Sequence, residues 1–240
     1  MVDWEVQLTG DKADLTELCK CLTGDELHIE ERNGQFFLRA FRFNNLSTSE
    51  EVVSTASDML TLLTGATRLA LGGKTPITVG SVAGMREDGV RNSFLRFTDR
   101  VVVRDFITIE ICEANGSSKI CHPAQDVPKL MKLGFSDEQV ARALRLFGAS
   151  EHDWVNLYRL YEVIEDDVRT VDAIVRRGWA TKASIKRFKH TANSPSSTGD
   201  ASRHGKESTS PPSNPMTLPE ARALIELIVH SWLKSKTTNA

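Results

Sequence analysis

The side chains best able to do chemistry concentrate in one segment, Thr191 to Lys206 (TANSPSSTGDASRHGK), where Asn193, Asp200, Arg203, His204 and Lys206 gather around Gly199 and Gly205. Arginine and lysine hold phosphates, histidine at its ordinary pKa moves protons at neutral pH, and glycine lets backbone amides approach a ligand. No metal is needed for the chemistry this set suggests. His204 would act as general base on a ribose 2′-hydroxyl, and Arg203 or Lys206 would stabilise the pentavalent phosphorane. Adjacent residues of an extended chain point to different sides, so Arg203 and His204 need a turn before both face one phosphate, and Gly205 could supply it. The competing reading is a solvated polar linker, the usual use of such composition.

The surrounding charge bears on that choice. Eight basic residues (Arg176, Arg177, Lys182, Lys186, Arg187, Lys189, Arg203 and Lys206) stand against one acidic residue, Asp200, in a chain whose formal net charge is −2. A strip of this kind can hold a phosphate backbone, with Arg187, Lys189, Asn193 and Lys206 as contacts and Trp179 and Phe188 as interleaved stacking faces. Its charge could equally be balanced inside the same bundle by Glu162, Glu165, Asp166 and Asp167.

A polar helix, then Arg203-His204-Gly205, then a loop and a last helix opening Met216-Thr217-Leu218-Pro219-Glu220-Ala221 together resemble the second half of HEPN domains, over about residues 130 to 235. The resemblance implies a small helical bundle of prokaryotic defence and toxin systems, often a metal-independent ribonuclease. It also implies an Arg and a His that meet at a bundle or dimer groove, which makes Arg203 and His204 the candidate catalytic pair and RNA the candidate partner. In that family several positions separate the Arg from the His. Here they are adjacent, and Thr198 and Gly199 occupy the family spacing.

Other catalytic signatures are absent: there is no GxSxG, GxxxxGK[ST], GxGxxG or HExxH, and Gly72-Gly73-Lys74-Thr75 reads as a strand-to-strand turn. Cys19, Cys21, Cys112 and Cys121 form no CxxC pair, and the first two, two apart on a helix, point to different sides. Cys112 with Cys121 and His122 is a marginal metal set; no metal and no cofactor is expected. Phe36, Phe37, Phe41 and Phe43 read as core rather than as a base-stacking platform, because alternate strand residues bury on one face. No stretch is apolar enough to span a membrane and no secretory leader opens the chain, which predicts a cytosolic protein.

The elements that must position these residues follow from patterning. With 240 residues, 40% hydrophobic and 26% charged, the chain can bury a sizeable core. Alternation over Val2 to Leu8, a helix through Leu15, Leu18 and Leu22, and strands flanking Asn33-Gly34 open an α+β domain over residues 1–116. A helix capped by Ser47 and Glu50 runs to Gly65, followed by β-rich runs Ile77 to Val82, Val90 to Phe97 and Val101 to Cys112. The expected fold is thus an antiparallel sheet with two covering helices. A small helical bundle over 125–240 follows, with helices opening at Ser136, Ser150 and Thr217 and a long polar loop at 190–216. Its partner would be RNA, or else a protein partner or a homodimer that makes the chain a non-catalytic interaction module.

Overall fold

The computed structural model describes residues 3–85, 91–95, 109–112, 118–121, 124–149, 152–206, 210 and 212–238. They divide into two compact units, Met1–Lys132 and Leu133–Ala240, and the fold class is α+β.

The first unit contains strands β1 (Asp3–Thr9), β2 (His28–Arg32), β3 (Gln35–Arg39), β4 (Thr78–Met85) and β5 (Arg91–Leu95) in an antiparallel sheet of order β2-β3-β1-β4-β5. Asn33 and Gly34 both take positive φ, 54° and 76°, the conformation a two-residue hairpin turn requires. The register fixes the core: Ile29 pairs with Leu38, Leu38 with Val6, and Val6 with Val82, a row of four residues at most 2% exposed. Because strand residues alternate, Phe36 and Phe37 lie on opposite faces. Phe37 is buried not in that core but on the polar face, under the Arg32 guanidinium 4.1 Å from its ring centre, beside Glu5, which is ion-paired to both Arg32 and Arg39. Helices α1 (Lys12–Cys21) and α2 (Ser49–Leu71) cover the sheet, α1 beside β2 and α2 along β4 and β1.

Helix α2 differs from expectation at both ends. Its capping box uses Thr48 and Glu51 instead of Ser47 and Glu50, with Glu51 accepting from the amides of Ser47 and Thr48. It also runs through Gly65 to Leu71, because a mid-helix glycine costs only about 1 kcal/mol and the apolar stripe continues through Leu69. Gly72, at φ 65°, is the true stop, so Gly72 to Thr75 joins a helix to a strand. A second, two-stranded ladder pairs β6 (Ile109–Cys112) with β7 (Ser118–Cys121). Both ends of the run expected at 90–97 and the first part of the run expected at 101–112 lie outside the described residues. Phe41 departs from the core expectation: it is 63% exposed, while Phe43, two residues on, is 1% exposed.

The helical part holds α3 (Val127–Ser136), which sequence patterning did not assign, α4 (Glu138–Gly148), α5 (Trp154–Val168), α6 (Val171–Arg176), α7 (Lys182–Ala192), the single turn α8 (Pro195–Thr198) and α9 (Leu218–Thr238). Asp137, not Ser136, caps α4, and Ser136 ends α3. α5 packs on α4 and on α9, whose Ala221, Ile225, Ile228, Val229, Trp232 and Leu233 are buried. Trp232 is fully buried, and its indole N–H donates to the Asp167 carboxylate at 2.8 Å. Among the described residues no helix is long and apolar enough to cross a membrane.

Candidate functional site

Helix α7 presents two stripes. Thr181 caps it, with its hydroxyl accepting from the Ser184 amide at 3.1 Å, and the helix contains no acidic residue. Ile185, Phe188 and Ala192 turn inward. There Phe188 stacks on Trp154 and Tyr158, centroids 6.3 and 5.8 Å apart, and meets Tyr161 edge-on at 5.9 Å. Trp179 and Phe188, expected as stacking faces for a ligand, are therefore core: they are 8% and 0% exposed.

The second stripe carries Lys182, Lys186, Lys189, His190 and Asn193, positions that helical spacing aligns on one side. With Thr170, Val171, Asp172 and Ile185 they line a pocket of about 620 Å³, within the range of small-molecule sites. Lys182 pairs with Asp172 at 3.2 Å, and Lys189 with Glu165 at 3.2 Å. The Lys189 ammonium also lies 5.2 Å from the centre of the Tyr161 ring. Burial first, and then the Glu165 carboxylate, push the Tyr161 phenol up, so it stays protonated at neutral pH. His190 Nε2 donates to the Ser210 carbonyl at 2.8 Å. Lys186 makes no ion pair or hydrogen bond among the described residues and faces the pocket with its charge uncompensated.

The polar loop folds back onto this helix instead of trailing away. The Arg203 amide donates to the Ala192 carbonyl at 2.9 Å, its guanidinium lies 4.1 Å from the centre of the Tyr158 ring, and Nη2 donates to Glu162 at 2.8 Å. Asn193 reaches the same tyrosine, Nδ2 donating to the hydroxyl at 3.5 Å. Tyr158 is thus where Asn193 and Arg203 meet. His204 is exposed and accepts from Arg203 Nη1 at 3.3 Å through Nε2. Lys206 is exposed and makes no ion pair among the described residues.

Arg187 points elsewhere. Its guanidinium donates to the carbonyls of Asn214 and Pro215 at 3.0 Å and to both Glu220 oxygens at 3.1 Å. Glu220 closes the α9 capping box with Thr217 and also accepts the Thr217 amide at 2.7 Å. That amide, then Arg187 and the Thr217 hydroxyl, hold the Glu220 carboxyl down to about 2. Arg187 is a clasp between α7 and the start of α9.

The acidic run of α5 is consumed by these contacts. Glu162 takes Arg203, Glu165 takes Lys189, Asp166 accepts from Gln139 at 3.1 Å, and Asp167 takes Lys236 at 2.7 Å. Two of the basic residues expected at a ligand, Arg203 and Lys189, are therefore balanced from within the bundle. Tyr158, one of the loop's anchors, and the pocket residues Lys182, Lys186 and His190 were not singled out from sequence as contacts, whereas Glu162, the other anchor, stood among the acids expected to balance the strip. The lysine and histidine spacing of four (182, 186, 190) was the available signal.

Among the described residues no group of three or more His, Cys, Asp or Glu side chains is placed to hold a metal. Ladder register pairs Cys112 with Ser118 and Cys121 with Ile109, so the two cysteines sit at opposite ends of the hairpin. His122 lies outside the described residues. Compared with protein families, with curated proteins and with solved structures, the chain matches none.

Proposed function

We propose that the helical unit binds single-stranded RNA through its phosphates, with the second stripe of α7 as the contact surface, and does not cleave it. The observation that supports this reading is one pocket lined by Lys182, Lys186, Lys189, His190 and Asn193, in which a single carboxylate, Asp172, stands among three lysines. The unpaired charge of Lys186 favours an anion, and Lys182 can exchange its exposed partner Asp172 for a phosphate at small cost, whereas Lys189 keeps its half-buried partner Glu165. The HEPN-like order of polar helix, loop and final helix points to the same partner. Cleavage is disfavoured because Arg203, the arginine that the resemblance pairs with His204, is committed to Glu162 and Tyr158. Trp179 and Phe188 are buried and contribute no base stacking in this unit, so its binding is electrostatic and indifferent to sequence.

The test is fluorescence anisotropy of a labelled 12-nucleotide RNA with the full chain across a salt series, comparing wild type with Lys182→Glu/Lys186→Glu. Removing two phosphate contacts should weaken binding at least about tenfold at low salt and lower the magnitude of the log–log salt slope by about 1.4. The RNA should stay intact with and without EDTA. Undetectable binding at low salt, or a double variant that matches wild type, would overturn the proposal.

A further inference from the structure

Among the described residues two that are not glycine take positive φ, Asn33 at 54° and Arg169 at 74°. The hairpin turn accounts for Asn33, a residue type that tolerates this conformation. Arg169 ends α5 with ψ −27°, at a position where glycine or asparagine would meet little or no steric penalty. Its backbone gains nothing from being arginine, so what it contributes lies in its side chain, and strain of this kind collects at ligand sites. We infer that Arg169 is a second phosphate contact at the rim of the α7 pocket, beside Lys186. The inference rests on the proposed function and adds to it a residue from the α5–α6 junction, outside α7 altogether.

Two contacts fix where Arg169 stands. One turn before it on α5, Glu165 pairs with Lys189 at 3.2 Å, which holds the end of α5 against α7. The residue after it, Thr170, lines the pocket with Val171 and Asp172, and its hydroxyl accepts from the Ala173 amide at 3.1 Å to open α6. Neighbouring Cα atoms are about 3.8 Å apart, so the Arg169 side chain starts at the pocket's edge and is long enough to meet a phosphate seated on Lys186. Arg169 is exposed, and its guanidinium makes no ion pair or hydrogen bond among the described residues. The carboxylates around it are already engaged. Asp166 accepts from Gln139, Asp167 from Trp232 and Lys236, Glu165 from Lys189, and Asp172 from Lys182. The pocket's unpaired lysine, Lys186, suffices for one phosphate. A second unpaired cation at the rim lets the site follow two successive phosphates of a strand, and a guanidinium fork matches phosphate oxygens in pairs.

Anisotropy with the same labelled RNA 12-mer, alongside thermal melting, tests this on the full chain with wild type, Arg169→Gly, Arg169→Lys and the α7 double variant. Arg169→Gly removes the charge and the strain together. It should weaken binding about fivefold at low salt and lower the magnitude of the log–log salt slope by about 0.7, the share of one phosphate contact. It should also melt at or above the wild-type temperature, a gain that a merely structural arginine would not give. Arg169→Lys keeps the charge and should bind within about twofold of wild type. If Arg169→Gly binds like wild type, the inference is overturned, and the α7 result still decides the proposed function separately. An Arg169→Gly variant that melts more than about 4 °C lower makes the arginine structural and also overturns it. So does an Arg169→Lys variant as weak as Arg169→Gly. An α7 variant that keeps wild-type affinity, or a wild type that does not bind, overturns both readings.

Discussion

Arg203 carries the largest difference between what a residue type suggests and what its surroundings let it do. A guanidinium beside a histidine in a glycine-flanked loop reads as phosphate chemistry. In place, it stacks on Tyr158 and donates to Glu162, and its own amide ties the loop to the end of α7. It therefore positions the loop. Because the ion pair is partly solvated, its share of stability is small, and the stacking adds a comparable amount. Arg203→Ala should cost about 1 kcal/mol, lowering the melting of the helical unit by roughly 4–8 °C, while leaving RNA affinity in place. Abolished RNA binding by a variant that is still folded would return Arg203 to the ligand site. The cysteines follow the same logic: burial raises the Cys19 thiol to about 11 and the Cys21 thiol to about 12, which keeps both protonated and unreactive at neutral pH.

At the scale of elements, the helix ends of the second unit are locked by charge. Lys236 near the end of α9 reaches Asp137 at 2.8 Å, the cap of α4, and Asp167 at 2.7 Å on α5. Burial raises the Asp137 carboxyl, but Lys236 and the amides of Val140 and Gln139 outweigh it and hold the group below the usual carboxylate range. Glu220, joined to Arg187 and Thr217, is held down to about 2. A carboxyl with a depressed folded-state pKa contributes stability that is full above its unfolded value and is lost as pH falls through its folded value. The melting temperature should therefore hold from neutral pH down to about 4.3 and fall from there toward about 2, with Glu220→Gln showing a shallower fall. An acid limb that is identical in Glu220→Gln would show that the clasp adds nothing.

For the whole molecule, the chain's net charge of −2 hides unequal parts: residues 1–132 carry a formal −4 and residues 133–240 carry +2. A basic stripe in a mildly acidic protein attracts polyanions at short range while the rest of the surface discourages nonspecific association. Each unit also closes a core of its own, one around Val6, Leu38 and Ile29 and the other around Trp232, Tyr161 and Phe188. Leu38→Ala, at a fully buried position, should cost the first unit about 2–5 kcal/mol. Hydrogen exchange should then speed in β1 and β3 while the amides of α5 and α9 keep their protection. A parallel loss of protection in α9 would show that the two units unfold as one.

Much of the fold was legible because it rests on local chemistry. Asn33-Gly34 demands a hairpin, Thr217 with Glu220 opens α9, and the apolar stripes of α5 and α9 must face each other. Where sequence reading slipped, local signals were nearly degenerate: Ser47 with Glu50 and Thr48 with Glu51 are equally good boxes one residue apart, and Gly65 and Gly72 both look like stops. Burial of the stripe through Leu69 decided the second case. The second stripe of α7 was also present in the sequence, as basic residues four apart. What the sequence could not decide is which of those cations already have partners, because Glu162, Glu165 and Asp167 are far along the chain from Arg203, Lys189 and Lys236, the groups they bind. The sequence alone determined that a polar, basic segment with Arg203 and His204 exists. Only the tertiary structure decided that Arg203 is spent holding that segment to Tyr158 and Glu162 while Lys186 is not, since pairing between distant charges depends on how the helices pack and not on how the residues are spaced.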